Sequence, residues 1–210
     1  MTTQEIEQRT AKAEQLFMQG FNCAQAVVAA YADLFGLTEK QALQMSAGFG
    51  GGIGRMRLTC GAACGMVMLE GLQSGSTDIN DREGKSANYQ KVQQLLNAFK
   101  QQFGTITCAE LLKLKKDTPL SYEASERTAE YYKQRPCVNQ VVAAARIFGE
   151  RMNGEGVKGV KGVKAECFEG VKGVRGVKAE CFEGGFSGKV ALGEVPKKHS
   201  ALTPSLNSLP

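Results

Sequence analysis

The stretch Gly48–Gly71, GFGGGIGRMRLTCGAACGMVMLEG, decides how the chain is read. A glycine-rich loop carrying Arg55 and Arg57 runs into the cysteine-led segment CGAACG, Cys60 to Gly65. From Cys60 the small and apolar residues continue to Leu72, too long for a typical buried strand, so the segment predicts a buried helix. Gly61, Ala62, Ala63 and Gly65 have little side-chain bulk, which lets a second backbone approach that turn closely. A cysteine in a helix's first turn feels exposed backbone N–H groups and the positive end of the macrodipole, and both favour its thiolate. Cys60 is therefore expected to be the most nucleophilic thiol.

The pattern on either side is helical as well. Ile6, Ala13, Leu16 and Phe17 share one face of a helix from about Gln4 to Met18, with Gly20 as its stop. Asn22 caps a second helix with Cys23 in its first turn, ended by Gly36. Thr38 and Gln41 form a capping box for a third. The polar stretch Gln73–Gly84 leads to an amphipathic helix from about Lys85 to Phe103, with Val92, Leu95, Leu96 and Phe99 as its buried stripe. Thr107 and Glu110 suggest a capping box at Cys108, and Ser121 suggests a cap for a helix through Tyr132. Pro136 precedes Cys137 and an apolar face of Val138, Val141, Val142, Ala145 and Phe148. No strand alternation is visible, so the expected fold is an all-α, compact bundle of about seven or eight helices.

Two domains are expected from composition. Residues 1–153 form the helical cysteine-bearing part. In 154–210, VKGVKAECFEG (Val160–Gly170) recurs as VRGVKAECFEG (Val174–Gly184) with a single change, Lys161 to Arg175. Two such short units cannot bury a core by stacking, which predicts a disordered low-complexity tail and leaves Cys167 and Cys181 outside any active site.

The 210 residues carry a net charge of +5 that is spread along the chain, which gives no nucleic-acid footprint. No apolar run reaches the length of a membrane helix, so no membrane insertion is expected, and the polar N-terminus predicts a cytoplasmic protein. Seven cysteines in that setting point to redox, catalytic or metal-binding thiols more than to a disulfide framework. The only histidine, His199, lies in the tail, which argues against a Cys-His hydrolase and a His-ligated metal.

Cys23, Cys60, Cys108 and Cys137 are the candidate site residues because each opens a predicted helix. One buried cysteine is often just a small core hydrophobe; four in the same local situation favour a shared role. Cys64, four residues after Cys60 on the same face, could pair, ligate or pack, and packing is favoured. The glycine loop lacks both the G-x-G-x-x-G spacing and a Walker lysine, so a structural crossing with positive φ angles is favoured over phosphate binding. For Arg55 and Arg57 two readings stay open: solvated surface charges, or cations that favour a thiolate or an anionic ligand.

The order of Cys23 in FNCAQAV, then Cys60-Gly61-Ala62-x-x-Gly65, then single Cys108 and Cys137, resembles the C_GCAxxG_C_C family of redox-active proteins over roughly residues 10–150. The GGGIGR loop is similar to the family too, while Cys64 and the repeat-bearing tail depart from it. Some relatives are selenoproteins, so the resemblance implies redox chemistry. Two functions follow as expectations: a thiol redox protein, namely a thiol-dependent oxidoreductase working with a redox partner, or a zinc or iron–sulfur module ligated by Cys23, Cys60, Cys108 and Cys137. A helical interaction module with incidental cysteines is the third. In the redox reading Cys23 is the first choice of resolving partner for Cys60, and Cys64 its local rival.

Overall fold

The computed structural model describes residues 1–154; the repeats, Cys167, Cys181 and His199 lie outside the described residues. Among the described residues there are eight α-helices: α1 Thr3–Met18, α2 Cys23–Tyr31, α3 Glu39–Ser46, α4 Gly61–Ser74, α5 Arg82–Phe103, α6 Cys108–Leu111, α7 Ala129–Gln134 and α8 Cys137–Met152. The all-α expectation holds. None of these helices is long and apolar enough to cross a membrane.

The bundle is built around α2. Apart from Gln25, every one of its residues is buried, because α1, α3, α4 and α8 all pack against it. A nine-residue helix with this much Ala and Val holds its place through its ends. Asn22 Oδ1 accepts from the N–H groups of Ala24 and Gln25, and Gln25 Oε1 accepts from Asn22 N–H, so the start is closed by a reciprocal box. At the other end the Tyr31 hydroxyl donates to Ala145 O of α8 at 2.7 Å, and its ring meets Phe148 edge-on at 5.0 Å. A buried tyrosine needs such a partner, since an unsatisfied hydroxyl costs about 1–3 kcal/mol.

Close approach of α2 and α4 is set by glycine. A Cβ on Gly61 would lie 2.7 Å from Phe49 O and 3.3 Å from Cys23 Cβ, so only glycine fits where the two cysteine-bearing helix starts meet. This is the crowded junction that the small residues of CGAACG imply. α5, capped by Asp81 and ended by Gly104 in the left-handed conformation, buries Leu95, Ala98 and Phe99; Val92 and Leu96 are only half-buried.

Two of the expected caps differ. Thr107 makes no side-chain cap: Glu110 accepts from Thr105 Oγ1, and Thr105 Oγ1 in turn receives Thr107 N–H at 3.1 Å. Ser121 starts no helix, because its hydroxyl is satisfied locally by Glu123 N–H; α7 begins later, where Thr128 accepts from Tyr131 N–H. The chain between α6 and α7 is therefore a long irregular segment that lies along the cysteine-bearing cavity described next.

Candidate functional site

All four candidate cysteines open their helices, as the sequence suggested. Cys23, Cys108 and Cys137 are the first residues of α2, α6 and α8, and Cys60 is the residue that precedes α4. The fold brings them to one place. All four line a single cavity of about 500 Å³ between the starts of these helices, the glycine loop and the segment leading to α7. Cys64 does not: its thiol turns back towards Thr59 O at 3.9 Å, which agrees with the packing reading.

Local devices fix the positions. Thr59 and Thr107 form an isolated antiparallel bridge, with Cys60 N–H donating to Ile106 O at 2.8 Å and Cys108 N–H to Leu58 O at 2.6 Å. The bridge places two cysteines far apart in sequence side by side. Ahead of it, Gly51 to Arg55 all have positive φ, so the chain coils left-handedly and closes on itself through Gly54 N–H to Gly48 O at 2.8 Å. Glycine adopts this path freely, whereas Ile53, Arg55 and Arg57 do so at a cost of roughly 1–2 kcal/mol each. Gly52 is required twice over: its φ is +75°, and a Cβ there would come within 2.6 Å of Cys108 Cβ. The loop is thus a crossing, as expected, and its second effect is to bring Arg55 and Arg57 to the cavity wall.

Electrostatics separates the four thiols. Cys137 sits well below the ordinary thiol range, at about 7. The leading cause is a hydrogen bond from the Cys23 thiol, followed against burial by the charges of Arg135, Arg127 and Arg57. Cys23 moves oppositely, held protonated by that same hydrogen bond and by burial. Cys108 is raised by burial, partly offset by Arg57. Cys60 is pushed up to about 12 by burial; the backbone N–H groups of Ala63 and Ala62 favour its thiolate but are outweighed.

The burial of Cys60 works against the activation expected of its thiol. The helix-start effect on Cys60 exists, but a residue only 5% exposed loses more hydration than two N–H groups return. Nor do the loop arginines serve Cys60. Arg55 donates to Ser121 O at 2.9 Å and Ser125 Oγ at 3.0 Å, and Arg57 acts on Cys108 and Cys137. Arg127 and Arg135, which the sequence reading passed over, lie over the Tyr131 ring at 4.6 and 4.8 Å and line the cavity. A signal was present in the Arg135-Pro136-Cys137 run, with a cation two residues before a helix-opening cysteine.

The donor set can be compared with a metal centre. A tetrahedral zinc or a cluster needs converging thiolates at about 2.3 Å from the metal. Among the described residues no three His, Cys, Asp or Glu side chains are arranged to hold a metal ion. Cys60 and Cys108 are set beside each other by the backbone bridge, and Cys23 and Cys137 by the starts of α2 and α8. As placed, they do not fit a closed metal site.

The helical bundle thus gathers four cysteines and four arginines at the wall of one cavity. Residues 21–151 match the model of the family described as "Putative redox-active protein (C_GCAxxG_C_C)". The chain belongs to that family, which supports a redox role in general terms. No curated protein and no solved structure matches it significantly.

Proposed function

We propose that this protein is a thiol–disulfide oxidoreductase in which Cys137 is the attacking thiolate and Cys23 the resolving thiol. What supports this reading is that Cys23 and Cys137 open α2 and α8 on the wall of one cavity, and that their mutual interaction lowers the Cys137 thiol while it raises that of Cys23. A thiolate is the nucleophile in disulfide exchange, and attack is most effective when the thiol's pKa lies near the ambient pH.

In the forward step Cys137 S⁻ attacks one sulfur of a disulfide R–S–S–R, forming a mixed disulfide and releasing R–S⁻. Cys23, on the wall of the same cavity, gives up its proton and attacks Cys137 Sγ, releasing the second R–S⁻ and leaving a Cys23–Cys137 disulfide. Two electrons pass from the cysteine pair to the substrate, and a dithiol reductant returns them. Cys60 and Cys108, whose thiols burial shifts upward, line the same cavity.

The test is a trapping experiment. With Cys23→Ser, a small disulfide should leave a stable mixed disulfide on Cys137, seen as one added thiol mass on the Cys137 peptide. Wild-type protein should instead lose two titratable thiols without adduct. Accumulation of adduct on Cys60, or no adduct on Cys137 in the Cys23→Ser protein, would reject the assignment.

A further inference from the structure

Four guanidinium groups, those of Arg55, Arg57, Arg127 and Arg135, line the cavity, and among the described residues no carboxylate does. Their partners are neutral. Arg55 is held by Ser121 O and Ser125 Oγ, Arg127 by the Tyr131 hydroxyl at 2.8 Å, and Arg57 by Gly51 O at 3.5 Å. The salt bridges among the described residues all lie elsewhere, at Arg9–Asp33, Lys12–Glu39, Arg146–Glu7 and Arg151–Glu70. Glu123, the carboxylate whose field reaches Arg55, is outside the cavity lining. Even with Cys137 ionised, one negative charge faces four positive ones.

Such crowding is costly unless something answers it. Arginines drawn together are normally paired, because a partly desolvated cation without a counter-charge loses hydration and repels its neighbours. Arg55 shows this directly: burial and the charges of Arg57 and Arg135 lower its proton affinity. Planar guanidinium groups with spare N–H donors match carboxylates in bidentate geometry. The cavity volume of about 500 Å³ falls within the range of small-molecule sites.

We propose that the cavity selects small disulfides bearing carboxylate groups, with Arg55, Arg57, Arg127 and Arg135 binding the anionic ends while Cys137 attacks the sulfur. The proposal rests on the dithiol reading above and names its substrate class. The reaction it specifies is (⁻OOC–R–S)₂ plus the Cys137 thiolate and Cys23 thiol giving two ⁻OOC–R–S groups, one carrying the proton from Cys23, and the intramolecular disulfide. A single turnover draws both electrons from the cysteine pair and needs no other reductant.

The experiment compares three disulfides of similar size but different charge on pre-reduced protein in stopped flow: 3,3′-dithiodipropionate (dianionic), bis(2-hydroxyethyl) disulfide (neutral) and cystamine (dicationic). N-acetylcysteine is the reference thiol. With the negatively charged reference, the dication should react fastest and the dianion slowest. With the protein the order should invert, the dianion reacting at least about ten-fold faster than the neutral disulfide at low ionic strength, a preference that fades as salt rises.

Arg55→Gln should lower the dianion-to-neutral rate ratio several-fold. Arg55 is not among the charges that depress Cys137, so a fall in this ratio reports anion selection and not a change in the thiolate. If all three disulfides oxidise the pair with no inversion and no salt dependence, the anion proposal is overturned while the dithiol reading stands. If none reacts, both fail.

Discussion

Alkylation of the reduced protein across pH should single out Cys137. At pH 7 a thiol with a pKa of about 7 is about half thiolate, while an ordinary cysteine near 8.5 is roughly 3% thiolate. That is a roughly fifteen-fold advantage in thiolate. Nucleophilicity falls with pKa along a slope of about 0.4–0.5, which returns about five-fold over 1.5 units and leaves a net gain of roughly three-fold over a free thiol. Cys60, pushed up to about 12, is only about one part in 10⁵ ionised at pH 7, and even with its more basic sulfur it should react some hundreds of times more slowly than Cys137. Limited iodoacetamide labelling from pH 5 to 9, with the labelled peptides quantified by mass spectrometry, reads both sites in one sample. Cys137 labelling should rise through a midpoint near 7 and Cys60 should stay nearly unlabelled. Faster labelling of Cys60 at pH 7, or a Cys137 midpoint above 9, would refute the electrostatic ordering.

Replacing Cys23 with alanine removes the largest influence on Cys137. A hydrogen bond to a charged group is worth about 1.5–3 kcal/mol, so the Cys137 midpoint should rise by roughly one to two pH units in the same labelling assay. Gly52→Ala combines a left-handed backbone with a 2.6 Å clash against Cys108 and should cost more than Gly36→Ala, where the backbone is also left-handed but nothing lies within 4 Å; denaturant melts should separate them by about 1–3 kcal/mol. Stability should also fall in alkali. Cys60 is protonated in the native state up to about 12, so its contribution is complete below the unfolded pKa near 8.5 and is lost as pH rises, at up to roughly 1.4 kcal/mol per unit. Cys137 has the opposite sign: its depressed value adds stability as pH rises from about 7 towards 8.5. Thermal melts at constant ionic strength should therefore show an optimum near pH 8 and a steady decline above it; a flat profile from pH 8 to 11 would contradict the burial of these thiols.

Much of this architecture was legible because its signals are local. Asn22 with Gln25, Thr38 with Gln41, and the glycines at 36 and 104 mark helix ends through contacts within a few residues, and the structure forms them all. The placement of four cysteines at helix starts was readable on the same basis. What sequence could not carry was the choice among them, since that depends on neighbours distant along the chain: Cys23 against Cys137, and Arg57 and Arg127 against the same sulfur. Local reasoning weighed the N–H groups beside Cys60 but had no measure of how deeply it is buried. The Thr107–Glu110 cap failed for a related reason, because Thr105 offers Glu110 a competing hydroxyl that no capping pattern includes.

The central claim is that Cys23 and Cys137 form the working redox pair, and disulfide mapping tests it most directly. Reduced wild-type protein equilibrated with a thiol–disulfide buffer, quenched in acid, alkylated and digested without reduction should yield one dominant cross-linked species joining the Cys23 and Cys137 peptides. Its abundance should follow a two-electron titration as the buffer is made more oxidising, with Cys60 and Cys108 still alkylated at the midpoint. A dominant Cys60–Cys64 or Cys60–Cys108 link at that midpoint, or four cysteines that remain reduced throughout, would contradict the account.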